Sequence, residues 1–403
     1  MIGSDTMERT VGTVVRGLRA PIIKEGDDIV EIVVDTLLNA SEKEGFEIQD
    51  RDIITLTESI VARAQGNFAS IDDIATDVKN QFGEDTVGVL FPILSRNRFM
   101  NLLKGFARGA KKVVIQLSYP ADEVGNHLIT RDQLDESGIN PWTDTLTEEE
   151  FEQHFGKTSH PFTGVDYVEL YNRIVADEGT PCEIIFSNDP TAILEHTNSV
   201  IVAEVHSRAR TSRILNEAGA KKVIDLGDIL KTPASENGGY NEEFGLLGAN
   251  NSTDESVKLF PSHSKEIAKA IQNLAKEKTG KTIEAMVYGD GAFKDPSGEI
   301  WELADPVVSP GYTDGLTGTP NEVKLKYLAD NELADLSGEE LQAAIKESIS
   351  QKENQAIDAD ASLGTTPRKL TDLIGSLSDL TSGSGDKGTP FVYIQGYFDD
   401  YSA

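Results

Sequence analysis

The sequence predicts a mixed α/β or α+β protein in which helices flank mixed sheets. Short apolar runs bounded by polar residues, such as "IITLT" at 53–57, are typical of buried strands. The segment 264–278 places Ile267, Ile271 and Leu274 on one helical face, and Gly280 follows as a helix stop. Strand and helix patterns alternate from 199 to 230, as in a parallel βαβ unit.

The chain of 403 residues is longer than one hydrophobic core usually serves, so several parts are expected. Three segments, at 1–105, 106–236 and 237–403, differ in their sequence pattern. In the first segment, "VVRGL" predicts a strand that enters a glycine turn, and a helix with Asp27 or Asp28 as its cap follows. The third segment is expected to open with strand-like "EFGLLG", and it ends with a helix, a glycine loop and the strand "PFVYIQGYF".

The composition restricts the classes of molecule that the protein is expected to bind. A formal net charge of -31 repels phosphate backbones and anionic membranes, so nucleic acid and anionic lipid are poor partners. The single cysteine, Cys182, excludes an intramolecular disulfide and a cysteine-based zinc site. No apolar run reaches the length of about 18 residues that a membrane span needs. We therefore expect a cytoplasmic protein.

Two aspartates follow predicted strands and are candidate metal ligands. Asp254 lies in "GANNSTDES" and Asp290 in "MVYGDGAFKDP", and the helix at 264–278 lies between them. A strand–helix–strand unit of this length is expected to bring both strand ends to one side of a sheet. Two carboxylates placed there suit Mg²⁺ or Mn²⁺. The alternative is that both aspartates only shape turns, since Asp-Gly is a strong turn signal.

Basic residues cluster at two places in this acidic chain. "HSRARTSR" places Arg208, Arg210 and Arg213 where a predicted strand meets a helix, an end that attracts anions. They are candidates for binding the phosphate or carboxylate of an acceptor, and the alternative is a solvated turn paired with the acidic surface. "SRNRF", with Arg96 and Arg98, is a weaker example of the same pattern.

Five stretches, taken in order, resemble the coenzyme F420-0:γ-glutamyl ligase family. They are "VVRGLRAPIIKEGDDIVEIV", "DIITLTESIVARAQG", "GLLGANNSTDES", "KEKTGKTIEAMVYGDGAFKDP" and "LTSGSGDKGTPFVYIQGY". The resemblance implies the family's fold, with segment 106–236 as an inserted or diverged α/β region. It also implies a homodimer, GTP or ATP as co-substrate, and Mn²⁺ or Mg²⁺ held by Asp254 and Asp290.

The same resemblance implies which residues bind the nucleotide. They form three groups: the first turn with Arg16, Gly17, Leu18 and Arg19; then Glu58, Ser59 and Arg63; and the glycine loop of Ser382, Gly383, Ser384, Gly385, Asp386, Lys387, Gly388 and Thr389. The loop spells GxGxxG, but it follows a helix and precedes a strand, which is the reverse of a dinucleotide fingerprint. A flexible connector and a cradle for phosphate are both open readings of it.

The sequence departs from the family pattern at several of these positions. Val257 stands where an asparagine is expected, Gly291 where a threonine is expected, and small residues around Ser384 replace a larger polar one. The implied function is an amide ligase that adds glutamate or a similar amino acid to a carboxylate acceptor. The alternatives are a non-catalytic regulator that binds nucleotide and metal, and a metal-dependent phosphate-ester hydrolase.

Overall fold

A computed structural model describes residues 11–160, 164–236, 238–289, 292–294, 301–303, 309–320, 322–351, 368–382 and 385–400. The helices are α1 Ile29–Glu44, α2 Glu58–Ala64, α3 Ile71–Phe82, α4 Arg96–Gly109, α5 Arg131–Ser137, α6 Glu148–Phe155, α7 Tyr167–Asp177, α8 Arg208–Glu217, α9 Ser264–Thr279, α10 Leu325–Tyr327, α11 Gly338–Ser350 and α12 Leu370–Ser382. The strands are β1 Val14–Leu18, β2 Ile53–Thr57, β3 Phe68–Ser70, β4 Thr86–Leu90, β5 Lys112–Leu117, β6 Leu146–Thr147, β7 Cys182–Phe186, β8 Ser199–Val202, β9 Lys222–Asp225, β10 Asn250–Thr253, β11 Ser256–Lys258, β12 Glu284–Tyr288, β13 Ala292–Lys294, β14 Trp301–Leu303, β15 Gly311–Tyr312 and β16 Phe391–Gln395. The mixed α/β class is confirmed.

The described chain divides into two compact units. The first unit contains the residues up to Val61, those from His263 to Phe293 and those from Glu302 onward, and the second unit contains Ala62–Ser262 with 294–301. The predicted division at 105/106 and 236/237 stays a prediction. The two units do not share those boundaries, because β4 pairs with β5 and so ties residues 86–90 to the middle segment.

The first unit is built on a five-stranded sheet with the order β1-β16-β2-β12-β15. Strand β2 is central and pairs in parallel with β12, while β16 runs antiparallel to both β1 and β2. Strands β1, β2 and β12 therefore end at the same edge, where β16 begins. We call this the carboxyl edge of the sheet. The apolar residues of β2 are fully buried, as its composition predicts.

Local signals in the sequence fix the ends of the helices that flank this sheet. Asp28 caps α1 by accepting hydrogen bonds from the amides of Val30 and Glu31, both at 3.1 Å. Helix α9 ends at Gly280, which adopts the left-handed conformation that glycine tolerates best. Both helices agree closely with the prediction.

The second unit contains a six-stranded sheet with the order β6-β7-β5-β4-β8-β9 and a three-stranded sheet with the order β10-β11-β3. Five strands of the larger sheet are parallel, and β6 is antiparallel at its edge. The βαβ unit predicted from residue 199 is confirmed as β8, α8 and β9. Within the described part of the chain, no helix is both long and apolar enough to cross a membrane.

Three local predictions were wrong. Residues 242–248 form turns rather than a strand, because the Asn241 side chain accepts hydrogen bonds from the amides of Glu243 and Phe244. Residues 16–18 belong to β1 rather than to a turn, because β16 pairs with them. Strands β11 and β12 do not flank α9 in one sheet, because β11 pairs with β3 and β10 while β12 pairs with β2 and β15.

Helices α3 and α4 of the second unit pack in very close contact through two glycines. A Cβ added at Gly105 would lie 2.5 Å from the Cγ2 of Ile74, and one added at Gly109 would lie 2.5 Å from the backbone oxygen of Ala75. The two glycines are four residues apart and so share one face of α4. Their lack of side chains allows the two helices to approach.

We expect Gly109→Ala to lower the free energy of unfolding by about 1–3 kcal/mol, because a backbone oxygen cannot move aside for the added methyl group. Urea unfolding of both proteins measures the change. The matched control is Gly12→Ala, whose added Cβ would meet nothing within 4 Å. An equal loss of stability in both variants would contradict the proposed close packing.

Candidate active site

The carboxyl edge of the first unit's sheet brings together several of the predicted nucleotide-binding segments. The last pair of β2 and β12 joins Thr57 to Tyr288, so Glu58 and Gly289 follow at neighbouring positions. The first pair of β16 joins Phe391 to Leu18 of β1 and to Leu56 of β2. Segments that lie more than 300 residues apart in the sequence therefore meet at one edge.

The first segment and the glycine loop are in direct contact there. The amide of Ala20 donates a hydrogen bond to the carbonyl oxygen of Gly388 at 3.0 Å. A Cβ added at Gly17 would lie 3.2 Å from the Cβ of Thr389, a tight contact, so the two segments approach each other closely. The hydroxyl of Thr389 donates to the carbonyl oxygen of Ser382 at 3.0 Å and closes the base of the loop.

Two cationic side chains lie on these facing segments. Arg19 and Lys387 are both exposed, and neither forms a hydrogen bond or ion pair within the described part of the chain. Gly388 is in the left-handed conformation with φ 67°. A Cβ added at Gly385 would meet nothing within 4 Å, so the loop has open space beside it. Gly383 and Ser384 lie outside the described residues.

Arg16 has a different environment from the one expected for a phosphate ligand. Its guanidinium lies over the ring of Phe46, 4.4 Å from the ring centroid, and donates to Gln395 at 3.1 Å. Gln395 is at the far end of β16 from Thr389, so the Arg16 side chain points away from the glycine loop. Its observed contacts stabilise the pairing of β1 with β16.

The remaining predicted nucleotide ligands lie on α2. Glu58 is the first residue of the helix and is largely buried, Ser59 is half-buried, and Arg63 is exposed one turn and a half later. Both Glu58 and Arg63 take part in polar or electrostatic interactions within the chain. Glu58 and Ser59 lie at the carboxyl edge because they follow β2 directly.

Tyr288 ends β12 at the same edge and is fully buried. Burial raises the pKa of its hydroxyl to about 12, and Asp379 acts in the same direction while Ser382 acts against it. The hydroxyl has no partner in hydrogen-bond geometry among the described residues. Asp290 and Gly291, two positions singled out in the sequence, come just after this strand and lie outside the described residues.

Asp254 is found in the second unit, at the tip of the hairpin formed by β10 and β11. Its carboxylate is exposed, whereas the backbone beneath it is firmly held by α4. The fully buried side-chain amide of Asn101 donates to the carbonyl oxygens of Thr253, at 2.8 Å, and Ser256, at 3.1 Å. The Lys104 ammonium donates to the carbonyl oxygen of Asp254 itself at 3.0 Å.

A third residue of α4 completes this clamp. Arg108 forms ion pairs with Glu255 of the hairpin, at 3.1 Å, and with Glu178, at 2.9 Å. Asn101, Lys104 and Arg108 occupy positions i, i+3 and i+7, so they form one stripe along the helix. None of these three residues was predicted from the sequence to support a site, although their helical spacing is visible in the sequence.

The described residues provide few ligands for a metal around Asp254. Val257 is buried in the core and has no atom that could bind a cation. Within the described ranges, no group of three or more histidine, cysteine, aspartate or glutamate residues could hold a metal. The exposed carboxylate of Asp254 is thus the one predicted metal ligand that lies among the described residues.

The three predicted acceptor ligands are placed around the start of α8, also in the second unit. Arg208 donates to the carbonyl oxygen of Val205 at 2.5 Å and lies 3.5 Å from a carboxylate oxygen of Asp225. Arg213 pairs with Glu217 one turn later, at 3.0 Å. Arg210 is exposed and has neither a hydrogen bond nor an ion pair among the described residues. The three arginines therefore do not converge on one point.

A cavity of about 760 Å³ lies at the opposite edge of the first unit's sheet. Its polar lining includes Asp50, Asp52 and Asp399 against a single cation, Arg51. Asp52 is buried and already accepts hydrogen bonds from Tyr393 and from the amides of Gln49 and Gly396. This charge balance disfavours a nucleotide there.

The sequence model of the F420-0:γ-glutamyl ligase family matches residues 17–396, which include every segment of the carboxyl edge. This chain belongs to that family. A stretch of 70 residues is also 33% identical to the coenzyme F420:L-glutamate ligase of Methanothermobacter thermautotrophicus. The stretch covers 16% of this chain and 26% of that enzyme, so the matched part spans about a quarter of the relative's length.

Membership of the F420-0:γ-glutamyl ligase family confirms the resemblance noted in the sequence. The family is described by the γ-glutamyl ligase activity from which it takes its name. The family match also runs through the middle segment, 106–236, which had no recognisable counterpart in the sequence motifs.

We expect Asn101→Ala to loosen the hairpin that carries Asp254, because the carbonyl oxygens of Thr253 and Ser256 lose a buried amide donor, at a cost of about 1–3 kcal/mol. Hydrogen–deuterium exchange should become faster over residues 250–258. The control is Asn97→Ala on the same helix, whose side chain makes only an exposed contact of 3.4 Å. Unchanged exchange in the Asn101 variant would show that α4 does not hold the hairpin.

Proposed function

We propose that this protein is a metal- and nucleotide-dependent ligase that forms an amide between a carboxylate acceptor and glutamate or a similar amino acid. The observation that carries the proposal is the contact between the first segment and the glycine loop at the carboxyl edge. A backbone loop lies beside two cations that have no ion pair among the described residues, and in a chain of net charge -31 this suits a polyanionic nucleotide.

In this proposal Arg19 and Lys387 pair with the phosphates of GTP or ATP. The backbone amides of residues 385–389 add hydrogen bonds to the phosphate oxygens. Glu58 and Ser59 follow β2 at the same edge and contact the rest of the nucleotide. Arg16 supports the sheet and contributes to the site by holding β1 against β16.

Asp254 and Asp290 are the proposed metal ligands, as the family resemblance implies. Mn²⁺ or Mg²⁺ bound by carboxylates would neutralise charge on the phosphate oxygens during the transfer. The clamp from Asn101 and Lys104 fixes the backbone of Asp254 while its carboxylate stays exposed, so this ligand is positioned before the ion binds.

The chemistry proceeds in two steps that need no nucleophile from the protein. An acceptor carboxylate oxygen attacks the γ-phosphorus, the bond to the bridging oxygen breaks, and the nucleoside diphosphate leaves. The amine nitrogen of the amino acid then attacks the carbonyl carbon of the acyl phosphate. The carbon–oxygen bond breaks, inorganic phosphate leaves with the electron pair, and the nitrogen loses a proton. The chain's residues bind and orient the reactants.

The cellular setting is also part of the proposal. We place the enzyme in the cytoplasm, where its single cysteine stays reduced and nucleotides are abundant. We further propose that it acts as a homodimer, as the family resemblance implies. Its partners are a small carboxylate acceptor and an amino acid, with no role for nucleic acid or a membrane.

We expect Asp254→Asn to weaken Mn²⁺ binding by on the order of tenfold or more, because a hard cation favours a charged oxygen ligand. Asp290→Asn should have a similar effect. Calorimetry with Mn²⁺ in the presence of a non-hydrolysable nucleotide measures the change. The control is Asp177→Asn, an exposed aspartate at the end of α7.

The reaction itself is tested by nucleotide consumption with candidate acceptors in the presence and absence of glutamate. Consumption that needs both acceptor and glutamate supports the ligase. Phosphate release that is independent of glutamate would indicate a hydrolase instead. Nucleotide and metal binding without any turnover would indicate a regulator.

A further inference from the structure

The six-stranded sheet of the second unit has a point at which its strand order reverses. Its parallel strands lie in the order β7-β5-β4-β8-β9. The strands that follow β4 in the chain are added on one side of it, and β8 and β9 are added on the other side. Open parallel sheets bind ligands in the crevice outside the carboxyl ends of the two strands at such a switch point. Here those strands end at Leu90 and Val202, which are register partners.

The two basic motifs of the sequence follow the two strands of this switch point. "SRNR" opens α4 after β4, and "HSRAR" opens α8 after β8. The amide of Ala203 donates to the carbonyl oxygen of Leu90 at 2.8 Å, so the two strand ends remain in contact. Arg96 and Arg210 are exposed and, within the described part of the chain, have neither hydrogen bonds nor ion pairs for their guanidinium groups.

The turn between β8 and α8 already binds a carboxylate from within the protein. One oxygen of Glu123 accepts a hydrogen bond from the amide of Val205 at 2.7 Å, and the other accepts one from His206 at 2.9 Å. Two consecutive amides just before a helix are the arrangement that binds phosphate or carboxylate ligands. The side chain of Ser207, at the cap position of α8, makes no capping hydrogen bond.

Glu204 supplies an independent sign of a missing ligand. It is the second residue after β8 and is only 6% exposed, and one of its carboxylate oxygens has no hydrogen-bond partner in the described structure. Burial raises the pKa of Glu204, and the charge of Glu123 acts in the same direction, whereas Thr211, Arg210 and His206 oppose it. A buried acceptor without a donor is costly, and a ligand hydroxyl would satisfy it.

We propose that this switch point binds a phosphate ester that carries a hydroxyl group, and that the phosphate competes with Glu123 for the amides of Val205 and His206. Arg96 and Arg210 pair with the phosphate, and the hydroxyl donates to Glu204. Release of Glu123 frees the turn that immediately follows Glu204 in the chain. Arg208 and Arg213 have structural partners and are not ligands in this scheme. The site lies wholly in the second unit and does not depend on the proposed ligase reaction.

Calorimetry on the full chain with ribose 5-phosphate, inorganic phosphate and ribose tests the proposal. Arg210→Ala should weaken the binding of ribose 5-phosphate about tenfold, because it removes a charge-assisted contact. Glu123→Ala should instead tighten binding several-fold, because it removes the internal competitor. The matched control is Arg213→Ala, on the same helix, which should bind as the unmodified protein does. Ribose 5-phosphate should bind more tightly than inorganic phosphate, and ribose should not bind.

Several results would overturn the proposal. Equal affinities of the Arg210 and Arg213 variants for ribose 5-phosphate would show that the phosphate does not bind at the switch point. No tightening in the Glu123 variant would show that Glu123 does not compete, and Glu123→Gln, with matching size, repeats this test if the alanine variant unfolds. Equal affinity for ribose 5-phosphate and inorganic phosphate would exclude the hydroxyl contact to Glu204.

Discussion

The carboxyl edge of the first unit depends on the register of β2 between its two neighbours. Leu56 is paired with Phe391 on one side and with Val287 on the other. These two pairings bring Glu58, Gly289 and Thr389 to one edge, and the pairing of β1 with β16 adds Arg19. Residues 53–56 are all buried, so both faces of β2 are packed, and a slip of one residue would exchange the side chains of the two faces.

Much of the first unit could be predicted from local sequence signals. The ends of α1 and α9 follow from Asp28 and Gly280, whose capping roles depend on a few neighbouring residues. Strand β2 was predicted with its observed bounds, because its composition and its flanking polar residues agree. These features required no knowledge of distant contacts.

The environment of the site residues was harder to predict, because it depends on contacts between remote segments. Arg16 looked suited to phosphate, but its partner Gln395 lies 379 residues away. The hairpin of Asp254 was expected to be a loop after a strand. Asn101, which holds this hairpin, lies 152 residues before Thr253, the residue to which it donates a hydrogen bond. The sequence pattern around Asn241 was misread because a side-chain turn overrides the apolar run that follows it.

Within the second unit, α4 contributes to two separate features. Its first turn lies at the switch point of the six-stranded sheet, and its later turns hold the hairpin of Asp254. Gly105 and Gly109 allow the same helix to pack closely against α3. Helix α4 therefore connects the switch point to the hairpin that carries the Asp254 carboxylate.

Hydrogen–deuterium exchange with and without GTP and Mn²⁺ tests the central claim most directly. If the carboxyl edge binds the nucleotide, exchange should slow at the amides of residues 18–20, 57–59 and 385–389. The cavity residues 49–52, at the opposite edge of the same sheet, provide the internal reference and should not change. Protection confined to residues 203–211, with no change at the carboxyl edge, would place the nucleotide at the switch point and contradict the account.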